Sequence, residues 1–302
     1  MPKYSQTAEY MALFRALESA RGRKTRLFTD PWASRFLSPS LRIIASMARL
    51  PPLNSVVSWF IDWRWPGARA SGVARTRYID DALGDAIRDG PTQVVILGAG
   101  FDSRPYRVRG IEGIRVFEVD RPDTSRTKRD LIRKVLRSLP PHVSFVSIDF
   151  NRENLADVMR SAGLDLARPT AFVWEGVTNY LTEAAVDSTF RFVATTAAPS
   201  KILFTYVHRD VLRGESSFAG AGAVRRLVGD VGEPWTFGFD PEELSKYLEK
   251  RGLRLISDIG SRECRARYMG NRGHHLVGYE FYRIALAEVV NDSALSARTG
   301  SR

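Results

Sequence analysis

The stretch that most constrains this chain runs QVVILGAGFDSRPYR, from Gln93 to Arg107. Gln93 to Leu97 is too short and too rich in β-branched residues for a helix, so it is expected to be a central strand buried on both faces. Gly98 and Gly100 stop it. Two glycines at this spacing let the backbone turn sharply and let a ligand approach where a Cβ would stand in the way. Asp102 or Ser103 is placed to cap a helix expected to follow.

Glycines after a strand also serve as bare turn formers, so the second half of the signal matters. Ile114 to Asp120 reads as a second strand that ends in acid. An acid at that tip can accept hydrogen bonds from ribose hydroxyls. NAD and S-adenosylmethionine both carry that ribose, and the acid alone does not separate them. A dinucleotide site asks for Gly-x-Gly-x-x-Gly, which seats a pyrophosphate on the helix N-terminus. Here the third position is Ser103. That weakens an NAD-dependent oxidoreductase, kept as the alternative, and favours a ligand without phosphates.

Alternation of strands and helices continues to the end of the chain. Further strands are expected at Val143 to Ile148, Pro169 to Trp174, Lys201 to Val207, Leu253 to Ile259 and Leu276 to Leu286. Such alternation predicts a mainly parallel sheet with right-handed crossovers. The last two strands, with a long basic connection around 262–272 and no helix between them, are expected to pair as an antiparallel hairpin. The fold class is therefore α/β, a Rossmann-like seven-stranded sheet with a reversed last strand. Residues 1–85 are read as a helical cap or lid, 86–290 as the core with an irregular flap at 214–238, and 291–302 as a frayed tail.

Within the cap, residues 6–20 form an amphipathic helix with Met11, Leu13, Phe14 and Leu17 on one side. Residues 41–65 are its most apolar part, expected as two short helices hinged at Pro51-Pro52. Arg49, the proline pair, Asp62 and Arg64 divide this segment well short of the ~20 continuous apolar residues a membrane span needs. Its tryptophans fit either plain core or a lid over an apolar acceptor pocket.

A formal charge of +11 invites a nucleic-acid reading. Yet the basic residues are scattered, and 38 arginines against 7 lysines look like a compositional habit. The densest run, Arg126 to Arg137, falls at helical spacing and reads as a solvated face, so no nucleic-acid partner is expected. The single cysteine, Cys264, excludes an internal disulfide and suits a cytosolic compartment. His142, His208, His274 and His275 show no metal-ligand spacing, the adjacent pair reads as a loop feature, and no metal is expected.

Taken together, Leu27-Phe28-Thr29-Asp30-Pro31, Arg75-Thr76-Arg77-Tyr78, Leu97 to Arg104, Phe117 to Asp120, Asp149-Phe150 and Glu175 to Leu181 resemble the leucine carboxyl methyltransferase family. The resemblance covers residues 5 to 285. It implies a class I methyltransferase fold with S-adenosyl-L-methionine across the strand tips. Carried over residue by residue, Arg75 would pair with the cofactor carboxylate and Gly98 would admit its methionine part. Asp120 would hold the ribose, Asp149 and Phe150 would form the adenine site, and Glu175 would face the methionine portion near the sulfonium. The N-terminal helix has no lysine to match the cofactor-contacting lysine of the eukaryotic members. The segments FTYVHRD, EPWTFG and GYEFYR look closer to the bacterial branch that acts on small molecules. A small-molecule O-methyltransferase of polyketide-type metabolism is the expected activity, with a carboxylate or hydroxyl acceptor. A nucleic-acid methyltransferase is the further alternative, weakened by the absence of an Asn-Pro-Pro-Tyr type motif after strand four. His208, just after strand five, is the candidate base for a hydroxyl acceptor. Its other reading is a cap at the strand end.

Overall fold

The computed structural model describes residues 4–290 except 91, 215–217, 231, 272, 274 and 275. The readings for His274, His275 and the tail from 291 lie outside the described residues. Four helices lead the chain: α1 (Gln6–Ala20), α2 (Pro39–Met47), α3 (Pro51–Arg64) and α4 (Ala68–Arg88). There follow β1 (Gln93–Leu97), β2 (Arg115–Asp120), α5 (Pro122–Leu136), β3 (Val143–Ser147), α6 (Leu155–Ser161), β4 (Thr170–Trp174), α7 (Glu183–Ala194) and β5 (Lys201–Val207). The chain closes with α8 (Arg209–Arg213), α9 (Ala221–Asp230), α10 (Pro241–Glu249), β6 (Leu253–Gly260), α11 (Ser261–Met269) and β7 (Tyr282–Val289).

The seven strands lie in the order β3-β2-β1-β4-β5-β7-β6. β7 runs antiparallel to both of its neighbours, and the other pairings are parallel. β1 is buried at every position because it sits mid-sheet, between β2 and β4. Alternate residues go to opposite faces. Val95 and Leu97 join Phe117, Phe172, Trp174 and Phe190 on one side, while Val94 and Ile96 join Ile79 and Leu83 of α4 on the other. A third cluster holds the N-terminal helices to the body: Leu13, Phe14, Leu17 and Phe36 pack with Phe101 of the glycine loop and Ile132 of α5.

Local chemistry sets the helix starts. Ser5, Asn154, Thr182 and Asp240 each accept a backbone N–H from the first turn that follows, satisfying donors that the helix itself cannot.

Four expectations need correction. No α-helix follows the glycine loop. Asp102 caps only a short 3-10 turn by accepting the Arg104 N–H at 2.7 Å, Ser103 Oγ is committed to Asp30, and the chain turns again at Gly110, where φ is +87°. A helix, α11, does separate the last two strands. The final strand starts at Tyr282, because residues before it are tied to α11 and α4: Arg265 donates to the Leu276 carbonyl and the Tyr279 N–H to Ser71 Oγ. The segment 214–238 is not irregular throughout, since it carries α9.

Candidate active site

A cavity of about 880 Å³ opens at the C-terminal ends of β1, β2 and β4, the edge at which an open α/β sheet places its ligands. Gly98 forms part of its wall at φ +66°, and a Cβ there would stand 2.2 Å from Val177 Cγ2. Gly100 donates its N–H to Asp120 Oδ2. Asp120 Oδ1 accepts the Arg121 N–H at 2.6 Å. These two bonds hold the carboxylate in place and leave lone pairs for further donors. Burial raises the Asp120 pKa, and the two N–H groups only partly oppose this.

Asp149 lies on the same rim, with Oδ1 accepting the Asn151 N–H at 3.1 Å and Oδ2 3.6 Å from Arg152. Its neighbour Phe150 lines the cavity and packs against the core beneath. Across the cavity Arg75, on α4, donates from Nε to Glu175 Oε1 at 2.7 Å and lies 5.3 Å from the Tyr282 ring centroid. Glu175 follows β4 directly. Its second oxygen is 2.8 Å from Arg104 Nη1.

Arg104 belongs to a chain of alternating charges under the glycine loop. It donates to Asp102 and Asp80, and Asp80 also accepts from Arg107 at 2.6 Å. Arg107 reaches Ser103 Oγ, Ser103 donates to Asp30, and Asp30 accepts from Arg15 at 2.9 Å. Four arginines and four acids thus balance in one connected network. For Asp102, Glu175 and Asp30 burial pushes upward, but the arginines outweigh it. Asp102 is held at about 2, chiefly by Arg104, and Glu175 and Asp30 also lie below the usual carboxylate range. Behind the network, Lys128 donates to Glu118 at 2.7 Å, and burial still raises Glu118 to about 7.

The geometry brings six sequence-derived residues, Arg75, Gly98, Asp120, Asp149, Phe150 and Glu175, to one cavity. It does not bring His208. That residue sits where β5 ends, its N–H donating to the Phe281 carbonyl and its Nδ1 accepting the Asp210 N–H at 3.3 Å. It caps α8, with its ring 5.3 Å from Phe218, and is not among the residues that line the cavity. Sequence reasoning missed Arg104, Asp80 and Arg107, and the aromatic wall of Tyr180, Trp235 and Tyr279. The arginines stood in the sequence beside the glycine pair, but nothing local named their partners.

A sheet in this order with a ligand cavity at its strand tips defines a class I methyltransferase fold. One solved structure of 16% identity, a candidate methyltransferase from Thermobifida fusca, matches that fold with a TM-score of 0.57 over 92% of this chain and 94% of its own. The model of the leucine carboxyl methyltransferase family matches residues 8–194. A candidate S-adenosyl-L-methionine-dependent methyltransferase of Frankia alni is 34% identical over 222 residues, covering 73% of this chain and 75% of its own. Another, from Streptomyces avermitilis, is 33% identical over 272 residues, covering 86% and 91%. The chain belongs to the leucine carboxyl methyltransferase family. It is a methyltransferase, and its cofactor is S-adenosylmethionine.

Proposed function

We propose that this chain methylates an oxygen of a small-molecule acceptor, and that the oxygen belongs to a carboxylate. When bound, S-adenosylmethionine supplies a methyl group on a sulfonium, open to in-line displacement. The residues fit such a cofactor. Gly98 lets the turn at the cavity wall close directly against Val177, Asp120 keeps lone pairs for ribose hydroxyls, and Asp149 with Phe150 offers an acceptor and a ring to the base. Arg75 would take the cofactor carboxylate in a planar fork, and Glu175, paired with Arg75 and Arg104, would stand beside the methionine portion near the sulfonium.

The observation that carries the acceptor class is the aromatic part of the cavity wall. Tyr180, Trp235, Tyr279 and Tyr282 also line the cavity, giving flat apolar surface with polar tips of the kind that seats a small ring-bearing molecule. Among the described residues no histidine lines it, and beside the aromatics the base left to a hydroxyl acceptor would be Glu233, which already accepts from Thr7 at 2.7 Å. A hydroxyl acceptor needs a base in reach, whereas a carboxylate is already ionised at neutral pH. The protein's part is then to align the two reactants and exclude water.

Two measurements test this. Asp120→Ala and Asp149→Ala should each weaken S-adenosylmethionine binding by ~1 to 3 kcal/mol in calorimetry, with the fold intact by circular dichroism. Unchanged affinity in both would remove Asp120 and Asp149 from the cofactor site. Radiolabelled methyl transfer to a panel of aromatic acids and phenols should yield label that mild alkali releases, as an ester does and an ether does not. Alkali-stable product would overturn the carboxylate.

A further inference from the structure

Eleven large apolar side chains stand exposed among the described residues, and seven of them fall between Ile43 and Trp63. On α3 they are Val56, Trp59, Phe60 and Trp63, spaced i, i+3, i+4 and i+7, which is one stripe of a helix. Trp59 is 66% exposed and Trp63 65%. The opposite stripe of α3 meets the protein: Ile61 is buried, Val57 packs against the N-terminal cluster, and Asn54 donates to the Ala48 carbonyl at 3.0 Å. Ile43 and Met47 of α2, and Leu50 in the link, extend the apolar face. Phe60 and Trp63 lie side by side along it with tilted rings, their centroids 6.0 Å apart. Packing within the chain therefore explains the inner stripe and leaves the outer one uncovered.

Charge around the face indicates what covers it. Residues 31–67 carry Arg35, Arg42, Arg49 and Arg64 against a single acid, Asp62. All four arginines are exposed, and Asp62 is engaged by Arg69. Two copies of a chain of net charge +11 would meet here with arginines facing arginines. An anionic lipid surface meets the same face with complementary charge. Tryptophan and phenylalanine beside arginine is also the composition of helices that lie in the plane of a bilayer interface. The segment is too short and too interrupted to span, but lying flat asks only for one apolar stripe.

We propose that the α2–α3 face docks on anionic bilayer surface, with Trp59, Phe60 and Trp63 entering the headgroup boundary and Arg42, Arg49 and Arg64 facing lipid phosphate or carboxylate. α3 runs on into Trp65, which lines the cavity, so the docked face adjoins the cavity wall. The inference stands independently of which acceptor is methylated.

The test uses the full chain with sedimented vesicles of phosphatidylcholine alone or with phosphatidylserine at roughly one part in three, read by partitioning and by tryptophan emission. Wild type should bind the anionic vesicles with a blue-shifted emission and bind the neutral ones weakly. The triple variant Trp59→Ser, Phe60→Ser, Trp63→Ser alters only exposed positions, so folding should be retained. It should partition at least roughly tenfold more weakly, as should Arg42→Glu, Arg49→Glu, Arg64→Glu on the anionic vesicles. The proposal is overturned by wild type that ignores anionic vesicles, or by both triple variants binding as wild type does. It is overturned equally by a wild-type dimer that the aromatic variant dissociates while vesicles bind neither protein, since the face would then belong to a second copy.

Discussion

Position 98 admits only glycine for two separable reasons. Its φ of +66° disfavours any L side chain, and a Cβ would fall 2.2 Å from Val177. Gly98→Ala should lower unfolding free energy by about 2 to 4 kcal/mol in urea titration, from backbone strain and overpacking together. Placed in a Val177→Ala background it should recover the overpacking part and keep the strain. Full recovery, or none, would show that one of the two causes is absent. Arg75 permits a second residue-level prediction. If it holds the cofactor carboxylate, Arg75→Ala should weaken S-adenosylmethionine and S-adenosylhomocysteine by similar factors, because both carry that group, and Arg75→Lys should restore only part. Calorimetry on the three proteins checks this, and a loss confined to one ligand would move Arg75 away from the carboxylate. The place of both at the cavity was legible in the sequence, Gly98 from the strand that it ends and Arg75 from its resemblance to a family motif. Glu175 as the partner of Arg75 was not, since the two are brought together only by the fold.

Among the elements, the glycine loop departs most from its sequence reading, and the charge network beneath it explains why. The helix expected after Ser103 had Asp102 or Ser103 as its cap; Asp102 accepts the Arg104 N–H at the start of a 3-10 turn only and holds the Arg104 guanidinium with its other oxygen, while Ser103 is tied to Asp30. The network makes the region sensitive to acid. The Asp102 pKa falls from 3.8 to about 2 on folding, so its contribution is fully present above about pH 3.8 and disappears as pH drops through 2. Asp30 and Glu175 shift in the same direction. Urea titrations at a series of pH values should show Asp102→Asn losing about 2 kcal/mol less than wild type between pH 5 and pH 2. Parallel losses would mean that the carboxylate is not held down. α11 escaped the sequence reading for a related reason: its buried side is made of Ser261, Cys264 and Arg265, which shows no apolar period. Arg265 is fully buried and bonds to Ser71, Ser261, Leu276 and Glu280. Arg265→Ala should destabilise by roughly 2 to 4 kcal/mol in thermal or urea unfolding, and a change below about 0.5 kcal/mol would show that this bridge does not hold the 276–281 segment.

At the scale of the molecule, strand number, the parallel run and the reversed last strand followed from alternation and β-branched patterning, because the central strands are short, apolar and bounded by turn residues. The tryptophans of the cap were harder to read, since apolar periodicity reports a face that avoids water without naming what covers it. The structure places much of that face outward. The two charged regions of this chain then differ in one further respect. Beneath the cavity four arginines meet four acids, so the floor projects little net field, whereas the arginines around α2 and α3 lie in the open, within reach of mobile ions. Counter-ions act on the second and hardly on the first. Raising salt from ~50 to ~500 mM should therefore change S-adenosylmethionine affinity by less than about threefold while lowering vesicle binding roughly tenfold or more. A salt step would strip the enzyme from lipid with its methyl donor still aboard.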